Sequence, residues 1–318
     1  MKTILVTGAG GFLGQEIIRQ LLVKEYIRII AVSSQKEKLQ IQYNRPQIVI
    51  IGNDDILKPE FNYHNIHVLI NCAFPRGTDG AGMADGLLYI TKTLEMAGNN
   101  VQAVINISSQ SVYSQKRLIA ADENTVPDLE SKYAVGKYAS ELLTNSICKS
   151  LPHTNLRLAS LIGNGLEKRF INKIIKNIIS GEVIHIQGGQ QRFAFLDVRD
   201  AAAAVINVAL SNPDGWNEVY NVGPQKAYNL GEITRCIVES AKDFGIDVGS
   251  PIYEENCGWY NSDINSGIFY KQFGWKPCYK MEDTVRMIFE ACLGGGILYQ
   301  LIITYGRYHT CYQKSVAA

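Results

Sequence analysis

Tyr133 and Lys137 stand one helical turn apart, on one face of any helix that carries them. Ser109 comes before them, just past an apolar run from Gln102 to Ile107 that reads as a strand. Tyrosine is a poor base at its ordinary pKa of about 10. An ammonium beside it, together with a positively charged nicotinamide, favours the phenolate and lowers that pKa. Ser109 can hydrogen-bond the same substrate oxygen, and Lys137 has the reach to hold a nicotinamide ribose. Ser109, Tyr133 and Lys137 are therefore the candidate catalytic residues. Their chemistry is to draw a proton off a hydroxyl while hydride leaves the same carbon for a cofactor. A Tyr-x-x-x-Lys pair alone is a common helix-surface feature, so its weight depends on what else the chain carries.

The segment Lys2 to Gly14 supplies that context. Ile4 to Val6 predicts a short strand, followed by glycines at equal spacing, Gly8, Gly11 and Gly14, and an amphipathic run through Leu13, Ile17 and Leu21. The first glycine lets the chain turn sharply off the strand. The second lets backbone approach a pyrophosphate, and the third lets helix and strand pack closely. Free N–H groups at the helix start then face the phosphates. Gly8, Gly11, Phe12, Leu13 and Gly14 are accordingly the expected cofactor contacts, with Tyr133 and Lys137 at the other end of the dinucleotide.

Four more strands and their helices position these parts. Ile27 to Ser33 is a second strand. An acid at its tip would hold the ribose hydroxyls of NAD. Here the tip reads Ser33-Ser-Gln-Lys-Glu-Lys38, with Glu37 too far along, so NADP is tolerated and the cofactor is NAD or NADP. Gln47 to Ile51 is a third strand, followed by Asp55 and Ile56, where a carboxylate can accept from an adenine amino group. Val68 to Ala73 is a fourth, ending at Ala73 on the carboxyl edge, where open α/β sheets bind ligands. A loop from Phe74 to Gly86, with Arg76 and Asp79, covers that mouth, and a helix runs from Met83 to Ala97. After the long helix that begins near Tyr133, Asn155 to Ala159 is a sixth strand. This alternation predicts a Rossmann-type doubly wound parallel sheet over residues 1–162, with 195–222 returning to it. Residues 163–318 form mostly a smaller C-terminal substrate domain with a helix over Phe170 to Ile179 and, within 224–290, two more. The tail from Leu293 carries no assignable pattern.

Composition excludes other classes. The 318 residues are 46% hydrophobic and 19% charged, with a net charge of +1 and no basic block. Neither nucleic acid nor an anionic membrane surface is called for. The longest apolar runs are too short to span a bilayer. The first strand begins at the first residues, so no signal peptide is expected, and the seven scattered cysteines fit reduced thiols in the cytoplasm. The histidines show no ligand spacing, and no metal is expected.

These motifs together make the chain resemble the extended short-chain dehydrogenases/reductases of the NAD-dependent epimerase/dehydratase type. The resemblance runs to about residue 285. It rests on Thr7 to Gly14, Ser108-Ser109 with Val112-Tyr113, Tyr133-x-x-x-Lys137, Leu156-Arg157-Leu158, Gly188 to Phe193 leading to Asp197 and Asp200, Tyr220 to Gly223, and Phe273 to Pro277. It implies catalytic Ser109, Tyr133 and Lys137, an adenine contact at Asp55, a substrate contact at Ser111, and a substrate phosphate at Arg192. The implied substrate is a nucleotide-linked sugar, the implied reaction epimerisation through a transient ketone, and a homodimer is compatible. A ketoreductase or dehydrogenase on the same residues is the alternative. A silent dinucleotide-binding regulator is disfavoured because Tyr133 and Lys137 are both present. Three departures stand out. Gln110-Ser111 occupies the place of the acidic pair that sugar dehydratases use to eliminate water. No second phosphate-binding arginine appears around Glu254 to Gly258. The family's asparagine in the helix after strand four has no match near Asp85-Gly86.

Overall fold

A computed structural model of the chain describes residues 1–75, 79–166, 169–189, 191–254 and 258–294. Arg76, the centre of the Glu254 to Gly258 segment and the tail from residue 295 lie outside them. Strands β1 (Lys2–Thr7), β2 (Ile27–Val32), β3 (Ile48–Ile51), β4 (Val68–Asn71), β5 (Ala103–Ser109) and β6 (His153–Leu158) alternate with helices α1 (Phe12–Leu21), α2 (Lys36–Gln42), α3 (Gly80–Ala97) and α4 (Lys132–Ile147). Then follow β7 (Ser160–Ile162), α5 (Phe170–Ile179), β8 (His185–Gln187), β9 (Arg192–Phe193), β10 (Phe195–Asp197) and α6 (Val198–Leu210). The described chain closes with β11 (Val219–Val222), β12 (Tyr228–Asn229), α7 (Leu230–Asp243), β13 (Ile252–Glu254), α8 (Gly267–Phe273) and α9 (Met281–Cys292).

Seven strands make one sheet in the order β11-β6-β5-β4-β1-β2-β3. Every neighbour pair is parallel. The fold is thus the doubly wound α/β sheet that the sequence predicts, and its strand order reverses between β1 and β4. Ligands of such sheets bind at that switch point, beyond the carboxyl ends. Alternate residues of β1 feed opposite layers. Ile4 and Val6 pack with α1 and the alanine-rich α6, whereas Leu5 packs with Leu69, Val104 and α3. Burying Leu13, Ile17, Ile18 and Leu21 on the first layer fixes α1 at about 1.5–3 kcal/mol per side chain. A further apolar cluster joins α5, α7 and α9 with Ile184 and Ile186.

Three details differ from expectation. Helix α3 starts at Gly80, because Asp79 caps it by accepting from the Gly82 N–H at 2.8 Å, so the preceding loop is shorter than the glycine content suggests. Helices α2 and α8 have seven residues each, too few to show a helical apolar period. Helix α4 turns a polar face inward. Lys137, Ser140, Glu141 and Thr144 are buried, while Leu142 lies half exposed.

Candidate active site

The glycine turn lies against the exit of β4. Gly8 has φ +62°, and a Cβ there would come 2.7 Å from the Ala73 nitrogen and the Cys72 carbonyl carbon. A Cβ on Gly14 would come 2.3 Å from the Gly8 oxygen, so the third glycine lets α1 sit directly on the turn. Gly11 donates its N–H to the Gly8 oxygen at 2.9 Å and caps α1 with no side chain of its own. Among the described residues, a Cβ on Gly11 would meet nothing within 4 Å except the Gly8 oxygen. The helix start is therefore left bare on that side, as a phosphate cradle requires. Leu13 is buried and Phe12 partly so, and both pack into the α1 layer.

At the tip of β2, Ser33 is buried and its Oγ accepts the Gln35 N–H at 3.0 Å, while Ser34 is exposed. Asp55 accepts from Lys58 Nζ at 2.7 Å and from the Gly52 N–H at 2.8 Å. These two hydrogen bonds hold its carboxyl below the ordinary carboxylate range. Lys36 stands 3.9 Å from the same carboxylate. Ile56 is fully buried with Leu5 and Val32.

Ser109, Ser111, Tyr133 and Lys137 converge at the carboxyl end of β5. Ser109 Oγ accepts from the Ser111 hydroxyl at 3.0 Å and the Ser111 N–H at 3.2 Å, and it lies close enough to Tyr133 to act on its hydroxyl. The Tyr133 ring meets Phe74 edge to face at 5.3 Å and is 39% exposed. Ser131 caps α4 by accepting the Ala134 N–H, so the helix begins just before Tyr133. Gly136 lets α4 close on Phe74 and Met83, since a Cβ would come 2.3 Å from the Met83 sulfur.

Lys137 is buried. Its Nζ donates to the Ile107 carbonyl at 2.8 Å and lies 4.1 Å above the Phe74 ring. Burial pushes its pKa down to about 8. The ammonium is 5.9 Å from the centre of the Tyr133 ring and is turned toward Ile107. Burial raises the Tyr133 pKa, opposed by the nearby Ser109 hydroxyl and then by the charge of Arg169. Arg169, just before α5, thus adds its charge to the surroundings of Tyr133. In sequence it ends the charged run Glu167-Lys168-Arg169, directly before the apolar α5 segment.

Beneath these groups runs a buried polar brace. Ser108 donates to Glu141, Glu141 pairs with Arg157 at 2.7 Å, and Arg157 donates to the Tyr113 hydroxyl at 2.8 Å. Tyr113 in turn donates to Asn221 at 2.9 Å. The brace ties β5, α4, β6 and β11 together, and removing one partner of its ion pair would cost about 3–5 kcal/mol.

Arg192 stands elsewhere in the cleft wall, on β9. It is half exposed, with its guanidinium 3.6 Å from the Asp263 carboxylate. The side-chain carbonyl of Gln110 accepts from Gln115 at 3.4 Å and Arg117 at 3.5 Å. Arg117 also donates to the Asp263 carbonyl at 2.7 Å, and the Trp259 indole to the Arg117 carbonyl at 2.9 Å. Tyr260 packs on Phe193 and feels both Arg117 and Arg169. Arg199 forms an ion pair with Asp197 at 2.7 Å. Among the described residues no helix is long and apolar enough to cross a membrane.

Residues 4–223 match the profile of the NAD dependent epimerase/dehydratase family. A putative UDP-glucose 4-epimerase of Methanocaldococcus jannaschii is 25% identical over 306 residues, 90% of this chain and 96% of that protein. Among solved structures, the UDP-glucuronic acid 4-epimerase of Bacillus cereus, in complex with UDP-glucuronic acid and NAD, superposes with a TM-score of 0.78 at 19% identity. It covers 92% of this chain and 100% of its own. The dTDP-glucose 4,6-dehydratase of Bacillus anthracis, in complex with NAD, gives the same TM-score at 19% identity over 93% of this chain and 98% of its own.

Proposed function

We propose that this chain, which belongs to the NAD-dependent epimerase/dehydratase family, is an NAD(P)-dependent epimerase of a nucleotide-linked sugar. The observation that carries the reading is the convergence of Ser109, Ser111 and Tyr133 with buried Lys137, one turn along α4 and 5.9 Å from the centre of the Tyr133 ring. The relatives named above, described as acting on or binding UDP-sugars, support the substrate class.

The bare start of α1 fits a pyrophosphate. Gly8, Gly11, Phe12, Leu13, Gly14 and Ala73 would hold it, with Ser33, Asp55 and Ile56 toward the adenosine and Tyr133 and Lys137 toward the nicotinamide ribose. When bound, NAD or NADP supplies the hydride acceptor. Tyr133, as phenolate, takes the proton of a sugar hydroxyl, and Ser109 donates to the same oxygen, steadying the charge that develops on it. Lys137 keeps a positive charge beneath the site. The ketone that results stays bound and turns, and Tyr133 returns the proton as hydride comes back to the opposite face. Ser111 and Arg192 serve as substrate contacts. Residues 1–162 with 195–222 act as the dinucleotide domain and the rest from 163 mainly as the substrate domain. We place the enzyme in the cytoplasm, as a homodimer.

A ketoreductase is the second reading, favoured by the engagement of Arg192 with Asp263. The test is a panel of UDP- and dTDP-sugars incubated with catalytic NAD or NADP, with the C4 epimers resolved by NMR. Epimer formation lost in Tyr133→Phe supports the proposal. Turnover of free ketones or free sugars alone would replace it with the ketoreductase, and dinucleotide binding without any turnover would replace it with a regulator.

A further inference from the structure

Four polar side chains lie in register across the middle of the sheet. Thr7, Asn71, Asn106 and Asn155 are mutual neighbours on β1, β4, β5 and β6. Side chains alternate along a strand, so one register row points to one face, here the α3/α4 face. All four are 3% exposed or less. They are hydrogen-bonded head to tail. The Thr7 hydroxyl donates to Asn71 Oδ1 at 2.8 Å, Asn71 Nδ2 to Asn106 Oδ1 at 3.0 Å, and Asn106 Nδ2 to Asn155 Oδ1 at 2.9 Å. Asn155 Nδ2 ends the row on Asn145 Oδ1 of α4 at 2.7 Å.

An apolar row would suit a doubly buried parallel sheet better, because each of these amides must be fully satisfied to be tolerated. Their placement explains their presence. Thr7 immediately precedes Gly8, and its Oγ1 accepts the Ala73 N–H at 3.3 Å, on the wall that the glycine turn touches. Asn106 immediately precedes Ile107, whose carbonyl holds Lys137 Nζ. Asn106 also donates to Ser140 Oγ at 3.3 Å, and Ser140 donates to the Lys137 carbonyl at 2.7 Å. Both ends of Lys137 are thus referred to the same strand position.

We propose that the Thr7–Asn71–Asn106–Asn155 row is a positioning device that fixes the distance between the dinucleotide turn, with Ala73, and the catalytic helix α4. Each amide has both a donor and an acceptor committed, so the row has one register: a slip of β4 or β5 past its neighbours would break at least two of its buried hydrogen bonds, and a slip of β1 would break the Thr7–Asn71 bond. Thr7, Asn71 and Asn106 are positioning residues for the reaction proposed above, and the inference rests on that reading for its catalytic half alone.

The test compares three proteins with wild type. Thr7→Val keeps the shape and removes the hydroxyl, and Thr7→Ser restores it. The triple variant Asn71→Leu/Asn106→Leu/Asn155→Leu replaces the three amides by apolar side chains of similar volume, while Thr7, Ser140 and Asn145 each lose a row partner, so its fold is read before its kinetics. Circular dichroism and thermal melting report the fold, tryptophan quenching reports the NAD Kd, and kcat and KM are read separately. We expect the folded triple variant to lose at least tenfold in kcat with KM little changed. Thr7→Val should weaken NAD at least fivefold, and Thr7→Ser should return to within twofold of wild type. A folded triple variant with kcat and NAD Kd within twofold of wild type overturns the proposal. If the triple variant does not fold, the Thr7 pair decides, and equal NAD affinity in Thr7→Val and Thr7→Ser overturns it. Should wild type turn over no nucleotide sugar, the function fails but the NAD affinities still judge the row.

Discussion

Lys137 should strain the folded protein at neutral pH, and replacing it should relieve that strain while abolishing turnover. The ammonium is buried, and its pKa falls from 10.5 to about 8. A lysine with a lowered native pKa binds fewer protons in the native than in the unfolded state between those values. Stability therefore rises with pH across the window from about 8 to about 10.5 and lacks that contribution below it. The handicap is about 3 kcal/mol at pH 7 and under about 1 kcal/mol at pH 10, taking about 1.4 kcal/mol per unit. Lys137→Met keeps the length and the contact with Phe74 but leaves the Ile107 carbonyl without its donor, which costs about 1–3 kcal/mol at either pH. The variant should thus range from about as stable as wild type to about 2 kcal/mol more stable at pH 7. Relative to wild type it should lose about 2–3 kcal/mol on going to pH 10. Urea unfolding of both proteins at the two pH values measures this difference, in which the orphaned carbonyl cancels. A stability difference independent of pH would refute the reasoning, since it would mean that the buried ammonium is not destabilised.

Arg192→Ala should raise KM for a nucleotide sugar about tenfold with little change in kcat, because a contact remote from the reacting carbon is made equally in ground and transition states; Arg192→Lys should rescue it in part. Titration of both dinucleotides against tryptophan fluorescence should give Kd values within about 100-fold, or about 2.7 kcal/mol, since Ser33 and exposed Ser34 put no carboxylate at the tip of β2. A larger preference for NAD would mean that an acid reaches the ribose. Asp200 is pushed up to about 7 by burial, although it accepts the Cys278 and Tyr279 N–H groups. Its native state holds a proton that the unfolded state sheds, so its contribution should decline as pH rises from about 4 through 7. Asp200→Asn should flatten that decline in melting temperatures taken from pH 5 to pH 8.

The features legible in the sequence were those in which local chain chemistry dictates geometry. A glycine that must have φ +62° at Gly8, a third glycine that must let α1 lie on the turn, and strands that are apolar on both faces each have one physical solution. What stayed hidden was set by partners far away in the chain. Asp55 looks free in sequence, but Lys58 and Gly52 engage its carboxylate. Lys137 looks like a partner for Tyr133, but the Ile107 carbonyl and the Phe74 face hold it below the phenol.

Helix α4 shows why the second kind of feature resists reading. Its apolar residues suggest that Leu142 faces the core, yet the buried face carries Lys137, Ser140, Glu141 and Thr144. A polar helix face goes inward only if each group finds a partner there, and those partners lie on other strands: Ile107 for Lys137, Asn106 for Ser140, Ser108 and Arg157 for Glu141. No periodicity within α4 encodes that match. The same requirement makes the arrangement specific, because sliding α4 along β5 would orphan several buried groups at about 1–3 kcal/mol each. The polar inner face thus sacrifices burial of Leu142 and sets the place of Tyr133, which a greasy face could not fix as tightly.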